Sequence, residues 1–180
     1  MALTPFDHQQ LQRALHLAEA SFGLTEPNPR VGCVLHDAQG RLIAEGATQQ
    51  AGGPHAEAVA LAAARAAGAD ARGGTAWVTL EPCAHHGRTP PCAEALVAAG
   101  LARVVVAIGD PFDQVAGRGI ARLRAAGIQV DMADPVADAA IVEAAHEINI
   151  GFFSRVRRGR PWVRMKIAAS LDGRTALPDG

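Results

Sequence analysis

Four side chains in three short stretches have the types and the order that hydrolytic metal chemistry needs. His55 and Glu57 stand two residues apart in "GGPHAEAVAL". Cys83 follows Pro82, and Cys92 comes after eight intervening residues, "AHHGRTPP". One imidazole and two thiolates make a sound three-ligand set for zinc, leaving a fourth position for water. A thiol gives up its proton to become a ligand, helped by the metal and by a helix N-terminus. His55 and Cys92 both fall where a helix is expected to begin. Glu57 stands close enough to reach a bound water without ligating the metal. A carboxylate there can take a proton from water and pass it to a leaving amine.

Each piece has a plainer reading. An H-x-E triplet is common, and Cys83 and Cys92 could be buried thiols or could pair if oxidised. Together, in this order and each at a strand-to-helix junction, they read as a zinc set with an acid/base. That arrangement is the one used by zinc-dependent nucleobase deaminases, whose glutamate is not a ligand. Cys33, in the apolar run "VGCVL", reads as a core residue. His36 is expected to be exposed at a hairpin. His8, His16 and His146 lie in expected helices and receive no role.

The elements that must position these residues follow from periodicity and punctuation. Thr4, Pro5 and Asp7 form a capping-box start for a first helix. Val31–Leu35 reads as a buried strand and Arg41–Thr48 as its hairpin return. A helix is expected from His55 to about Ala67, a strand over Thr75–Leu80, and a helix over Pro91–Ala99 that stops at Gly100. Arg103–Asp110 and Ile128–Ala133 read as strands flanking a short helix over Gly119–Gly127. A longer helix is expected over Val136–Ile150. Later strands alternating with helices imply parallel crossovers, whereas the first two strands look antiparallel. The expected fold is therefore α/β: a mixed sheet of about five strands with helices on both faces, a three-layer α/β/α sandwich.

Composition narrows the function classes. The chain has 180 residues, a formal charge of −1, three cysteines and no tyrosine. Near-zero charge and few aromatics argue against a nucleic-acid-binding face. An odd, small cysteine count argues against a disulfide framework. No apolar run approaches a membrane span, and the N-terminus lacks the pattern of a signal peptide, so a cytoplasmic protein is expected. Residues 1–150 are expected to form the domain and 151–160 a connector. Arg155, Arg157, Arg158 and Arg160 read as a solvated linker, with phosphate binding the less favoured alternative. Trp162–Ser170 looks like a new strand, but residues 161–180 are too few for a domain.

The segments "PNPRVGCV", "PHAEAVAL", "TLEPCAHHGRTPPC" and "GIARLRAAGIQV" closely resemble the RibD family of bifunctional riboflavin-biosynthesis proteins. The resemblance covers the whole chain. It implies a cytidine-deaminase-like fold and zinc-dependent deamination of 2,5-diamino-6-ribosylamino-4(3H)-pyrimidinone 5′-phosphate. By position it implies His55, Cys83 and Cys92 as zinc ligands and Glu57 as proton shuttle. Asn28, Thr48, His85 and Arg88 fall at substrate-facing positions, and the Arg88 guanidinium suits a phosphate. Asn28 taken alone is equally a turn residue, and His85 and Arg88 could be loop scaffolding. Residues 161–180 resemble the opening of the family's NADPH-dependent reductase domain, with Lys166, Ala168, Ser170 and Asp172 where its contacts begin. Reductase activity is not expected of this chain, and self-association is.

Four positions at three places depart from the family pattern. Thr48 stands where the family has histidine, Gly53 where glutamate is common, and Phe112–Asp113 where Asn-Pro is typical. None touches the zinc set, so they bear on substrate identity more than on reaction type. The alternatives are a deaminase of another pyrimidine, a nucleoside or a tRNA base, or an inactive zinc-stabilised module.

Overall fold

Thr4 opens the first helix, α1 (Pro5–Glu19), with the expected capping box. Its hydroxyl accepts from the Asp7 N–H at 3.1 Å, and the Asp7 carboxylate accepts from the Thr4 N–H at 2.9 Å. Two of the helix's orphan donors are thereby satisfied. The computed structural model describes residues 3–85, 90–113 and 115–176.

The chain continues as β1 (Gly32–His36), β2 (Leu42–Ala47), α2 (Ala56–Ala66), β3 (Thr75–Val78), α3 (Cys92–Ala98) and β4 (Arg103–Val106). It ends with α4 (Arg118–Ala125), β5 (Gln129–Met132), α5 (Ala139–Ile148) and α6 (Ile150–Arg158). The five-stranded sheet has the order β2-β1-β3-β4-β5. β1 is antiparallel to both neighbours, whereas β3, β4 and β5 are parallel. α1 and α5 pack together on one face; α2, α3 and α4 cover the other. This is the expected mixed sheet in a three-layer α/β/α sandwich. Strands buried on both faces need apolar residues at consecutive positions. Val34, Trp77 and Val105 lie side by side toward α1, while Cys33, Val78 and Val106 point the other way. Cys33 is fully buried in that core, as its sequence setting implied.

Some expectations are corrected. His36 is not exposed but 5% accessible, because strand alternation turns it toward α1. There it meets the rings of Phe6 and Trp77 edge-on, and its Nε2 lies 3.2 Å from Gln10 Oε1. The helix expected over Val136–Ile150 begins at Ala139, and Asn149 separates it from a further helix. The stretch 151–160, expected as a connector, is thus mostly the helix α6, which ends at Gly159 in the left-handed conformation. Trp162–Ser170 forms no strand. It is exposed throughout, because no neighbouring strand offers it a ladder.

Candidate active site

One end of the sheet gathers the reactive side chains. β1 and β2 run opposite ways, and β1 opposes β3. The entry to β1, the exit from β2 and the exits from β3 and β4 therefore all lie together. Ligand sites in α/β sheets sit outside the carboxyl ends of parallel strands for the same topological reason.

His55 is the N-cap of α2, and Glu57 lies in that helix's first turn. The helix can approach the sheet closely only because residue 46 is glycine. A Cβ there would fall 2.3 Å from the Ala56 carbonyl oxygen. Cys83 lies in the loop that leaves β3, and Cys92 is the first residue of α3. The Ala93 N–H donates to the Cys83 carbonyl at 3.1 Å, and the Cys92 N–H reaches Cys83 Sγ at 3.3 Å. These two bonds close the inserted loop so that both sulfurs face the same point. Val115 and Phe112 pack against the pair, so the departure at Phe112, expected to leave the zinc set untouched, does contact it.

Glu81 fixes the approach to Cys83. Its buried carboxylate accepts from the N–H groups of Gly117 and Gly119, each at 3.0 Å, and of Asp110 and Ile120, each at 3.3 Å. An acidic group is stabilised at a helix N-terminus, here that of α4. Gly119 permits the contact, since a Cβ there would sit 1.8 Å from the Pro82 carbonyl oxygen.

The ligand atoms of His55, Cys83 and Cys92 lie within 4.8 Å of one another. His55 Nδ1 is 3.5 Å from Cys83 Sγ and 3.4 Å from Cys92 Sγ. Tetrahedral zinc with a Zn–S bond of about 2.3 Å and a Zn–N bond of about 2.0 Å has an N···S edge of about 3.5 Å. The donor set therefore fits that ion in both chemistry and spacing. Hydrogen bonding from Cys92, aided by His55, holds the Cys83 thiol down to about 4, whereas the neighbouring Cys83 sulfur and burial push Cys92 up. Two thiolates do not coexist this closely without a cation between them. Burial, with the Cys83 charge adding to it, also pushes the Glu57 carboxyl up. Glu57 is 3% exposed and beside the ligand cluster, where a proton can be held or released.

A cleft of about 460 Å³ opens from this cluster. Of the residues expected to face substrate, Asn28, Thr48 and His85 line it. His85 stands edge-on to Phe112, and its buried Nδ1 has no hydrogen-bond partner among the described residues. Thr48 is turned to structural use: its hydroxyl accepts from the Val31 N–H at 3.2 Å. Gly53 and Phe112, two of the departures, also line the cleft. Arg88 lies outside the described residues. Lys166, Ala168, Ser170 and Asp172 are exposed and do not line the cleft.

The cleft has further walls that sequence reasoning missed. Asp110 lines it, with its carboxyl pushed up by burial to about 6. Phe152, Arg155 and Val156 of α6 form another side. The apolar pair Phe152–Phe153 among arginines is the amphipathic signal that could have identified α6 as a helix with a buried face.

Comparison with known proteins agrees with this geometry. Residues 5–108 match the family "cytidine and deoxycytidylate deaminase zinc-binding region". Over 174 residues, the chain is 51% identical to the riboflavin biosynthesis protein RibD of Escherichia coli (strain K12), covering 97% of this chain and 45% of that protein. The chain thus spans about half the length of such relatives. Among solved structures, a RibD of Acinetobacter baumannii superposes with a TM-score of 0.82 at 48% identity, covering 95% of this chain and 46% of the other. A diaminohydroxyphosphoribosylaminopyrimidine deaminase/5-amino-6-(5-phosphoribosylamino)uracil reductase of Thermotoga maritima gives 0.87 at 39% identity, covering 97% and 48%. With its fold, its ligand cluster and these matches in agreement, the chain belongs to the cytidine and deoxycytidylate deaminase zinc-binding family and is a RibD relative within it.

Proposed function

We propose that this chain catalyses zinc-dependent hydrolytic deamination of 2,5-diamino-6-ribosylamino-4(3H)-pyrimidinone 5′-phosphate, a step of riboflavin biosynthesis. The observation that carries the reading is the convergence of His55, Cys83 and Cys92 at zinc spacing with buried Glu57 beside them. Zinc held by those three residues would act as a Lewis acid and acidify a water in the fourth position. Glu57 would take a proton from the attacking water and deliver it to the ring nitrogen, then carry a second proton, from the hydroxyl of the addition product, to the departing amine. Asn28 and His85 orient the pyrimidine with polar groups on the cleft wall.

The test is ammonia release from the phosphorylated diaminopyrimidine, with and without a chelator. Chelator-sensitive release is expected; none with this compound would overturn the substrate assignment. Thr48 motivates a second reading, a deaminase of a related pyrimidine, because its side chain is engaged with Val31. Release from cytidine but not from the diaminopyrimidine would favour it. Retention of Glu57 argues against an inactive zinc module.

The rest of the reading follows from the family. Residues 161–180, including Lys166, Ala168 and Ser170, are read as the opening of the NADPH-dependent reductase half. Self-association, measurable by light scattering, and a cytoplasmic location belong to the same proposal. No helix among the described residues is long and apolar enough to cross a membrane.

A further inference from the structure

We propose that Arg155, on the helix α6 expected to be mere linker, binds the phosphate end of the substrate at the mouth of the cleft. This inference rests on the deaminase reading above and adds a residue to its substrate site. Arg155 is the one lysine or arginine among the described residues that line the cleft. The same walls carry Glu57, Glu81 and Asp110, and the inner end carries the Cys83 sulfur. A phosphate dianion is repelled from that acidic interior and attracted to a cation at the rim. With the charge of a zinc ion offset by the two thiolates that would hold it, this distribution favours the neutral base inward and the phosphate outward.

The guanidinium is held in place without being used up. One Nη2 donates to the Pro27 carbonyl at 2.8 Å, and the group lies 5.6 Å from the centre of the Phe152 ring. A guanidinium has five N–H donors in a planar fork, so one backbone bond leaves a face for two phosphate oxygens. The helix that carries it is itself pinned to the substrate loop. Asn149, 2% exposed at the junction of α5 and α6, accepts from the Arg30 N–H at 2.8 Å. Its amide also donates to the Arg30 carbonyl at 2.9 Å. Asn28 and Arg155 therefore sit on two segments locked to each other, which is what positioning both ends of one ligand requires.

The test compares the wild type, Arg155→Ala and Arg155→Lys on the phosphorylated diaminopyrimidine and on its dephosphorylated form. Losing a charge-assisted pair should raise KM for the phosphorylated compound by about ten- to a hundred-fold, with kcat little changed. Arg155→Lys should recover part of the loss. KM for the dephosphorylated form should not move. Inorganic phosphate should compete with substrate in the wild type and much less in Arg155→Ala. Equal loss on both compounds would show that Arg155 only braces the Pro27 loop and would overturn the proposal, as would no loss on either. Calorimetric binding of the two compounds separates the two readings. If no ammonia is released by the wild type, yet the phosphate-dependent difference in binding persists, the deaminase reading falls and the phosphate site stands.

Discussion

Two buried polar clusters lie at opposite ends of the same sheet, and they are built on opposite principles. At the start of β4, Asp7, Arg103, Asp131 and Trp77 form a closed network. Arg103 donates to Asp7 at 2.7 Å and to Asp131 at 2.7 Å, and the Trp77 indole donates to Asp7 at 2.9 Å. At the far end, the three acids Cys83, Cys92 and Glu57 crowd around one point with the His55 imidazole as the one basic group among the four. The first cluster matches donors to acceptors and specifies the packing of α1 on the sheet. The second is left short of positive charge and is completed only by something that binds. A buried polar group is thus no pointer to function in itself; an excess of one sign focused on one point is.

The comparison can be broken most sharply at the far end. Chelation, or Cys83→Ser, should take ammonia release to background and remove zinc measurable by atomic spectroscopy. Cys33→Ala, which alters a core thiol, should retain both zinc and activity. Retained zinc in the Cys83 variant would end the assignment. Next in size, Glu57→Gln should lower kcat by about 10²- to 10⁴-fold at unchanged zinc content. Full turnover in that variant would remove Glu57 from the chemistry.

The closed network should respond in stability instead. Asp7→Ala takes one of two carboxylates from the Arg103 guanidinium and leaves the Trp77 N–H without its acceptor, and should cost about 3 kcal/mol in denaturant unfolding. Zinc content and kcat of the folded protein should stay at the wild-type level. The smallest effect is on pH dependence. Burial pushes the Asp7 carboxyl up, but Arg103, Thr4 and Trp77 together outweigh it and hold the group well below its ordinary value of 3.8. The folded state therefore binds its proton less readily than the unfolded chain. The resulting stability is fully present above that ordinary value and is lost as pH falls below it. Asp7→Asn should flatten that acid limb of the stability curve; an unchanged limb would assign it to other carboxylates.

Much of the site is legible in the sequence because its demands are local. A zinc ligand set restricts residue types, and helix starts at His55 and Cys92 follow from the punctuation before them. The capping box at Thr4 and Asp7 is likewise a matter of four consecutive residues. His36 is misread because its burial depends on Phe6 and Trp77, which come from elements far away in the chain. The stretch 151–160 is misread because its arginines mask a helix whose apolar face acquires meaning only against the rest of the domain.

The amino-acid sequence by itself determined the five strands of the mixed sheet and the residue types and order of the histidine, cysteines and glutamate proposed to hold zinc and move protons. These depend on periodicity, turn chemistry and the coordination preferences of a metal, all of which act over short separations. Tertiary structure alone decided that Glu81 would anchor α4 beside Cys83, and that Asn149 would tie α6 to the Asn28 loop. It also decided that Arg155 would reach the cleft. Each is a contact across dozens of residues, selected by how packed surfaces meet, and no local pattern encodes where such surfaces come together.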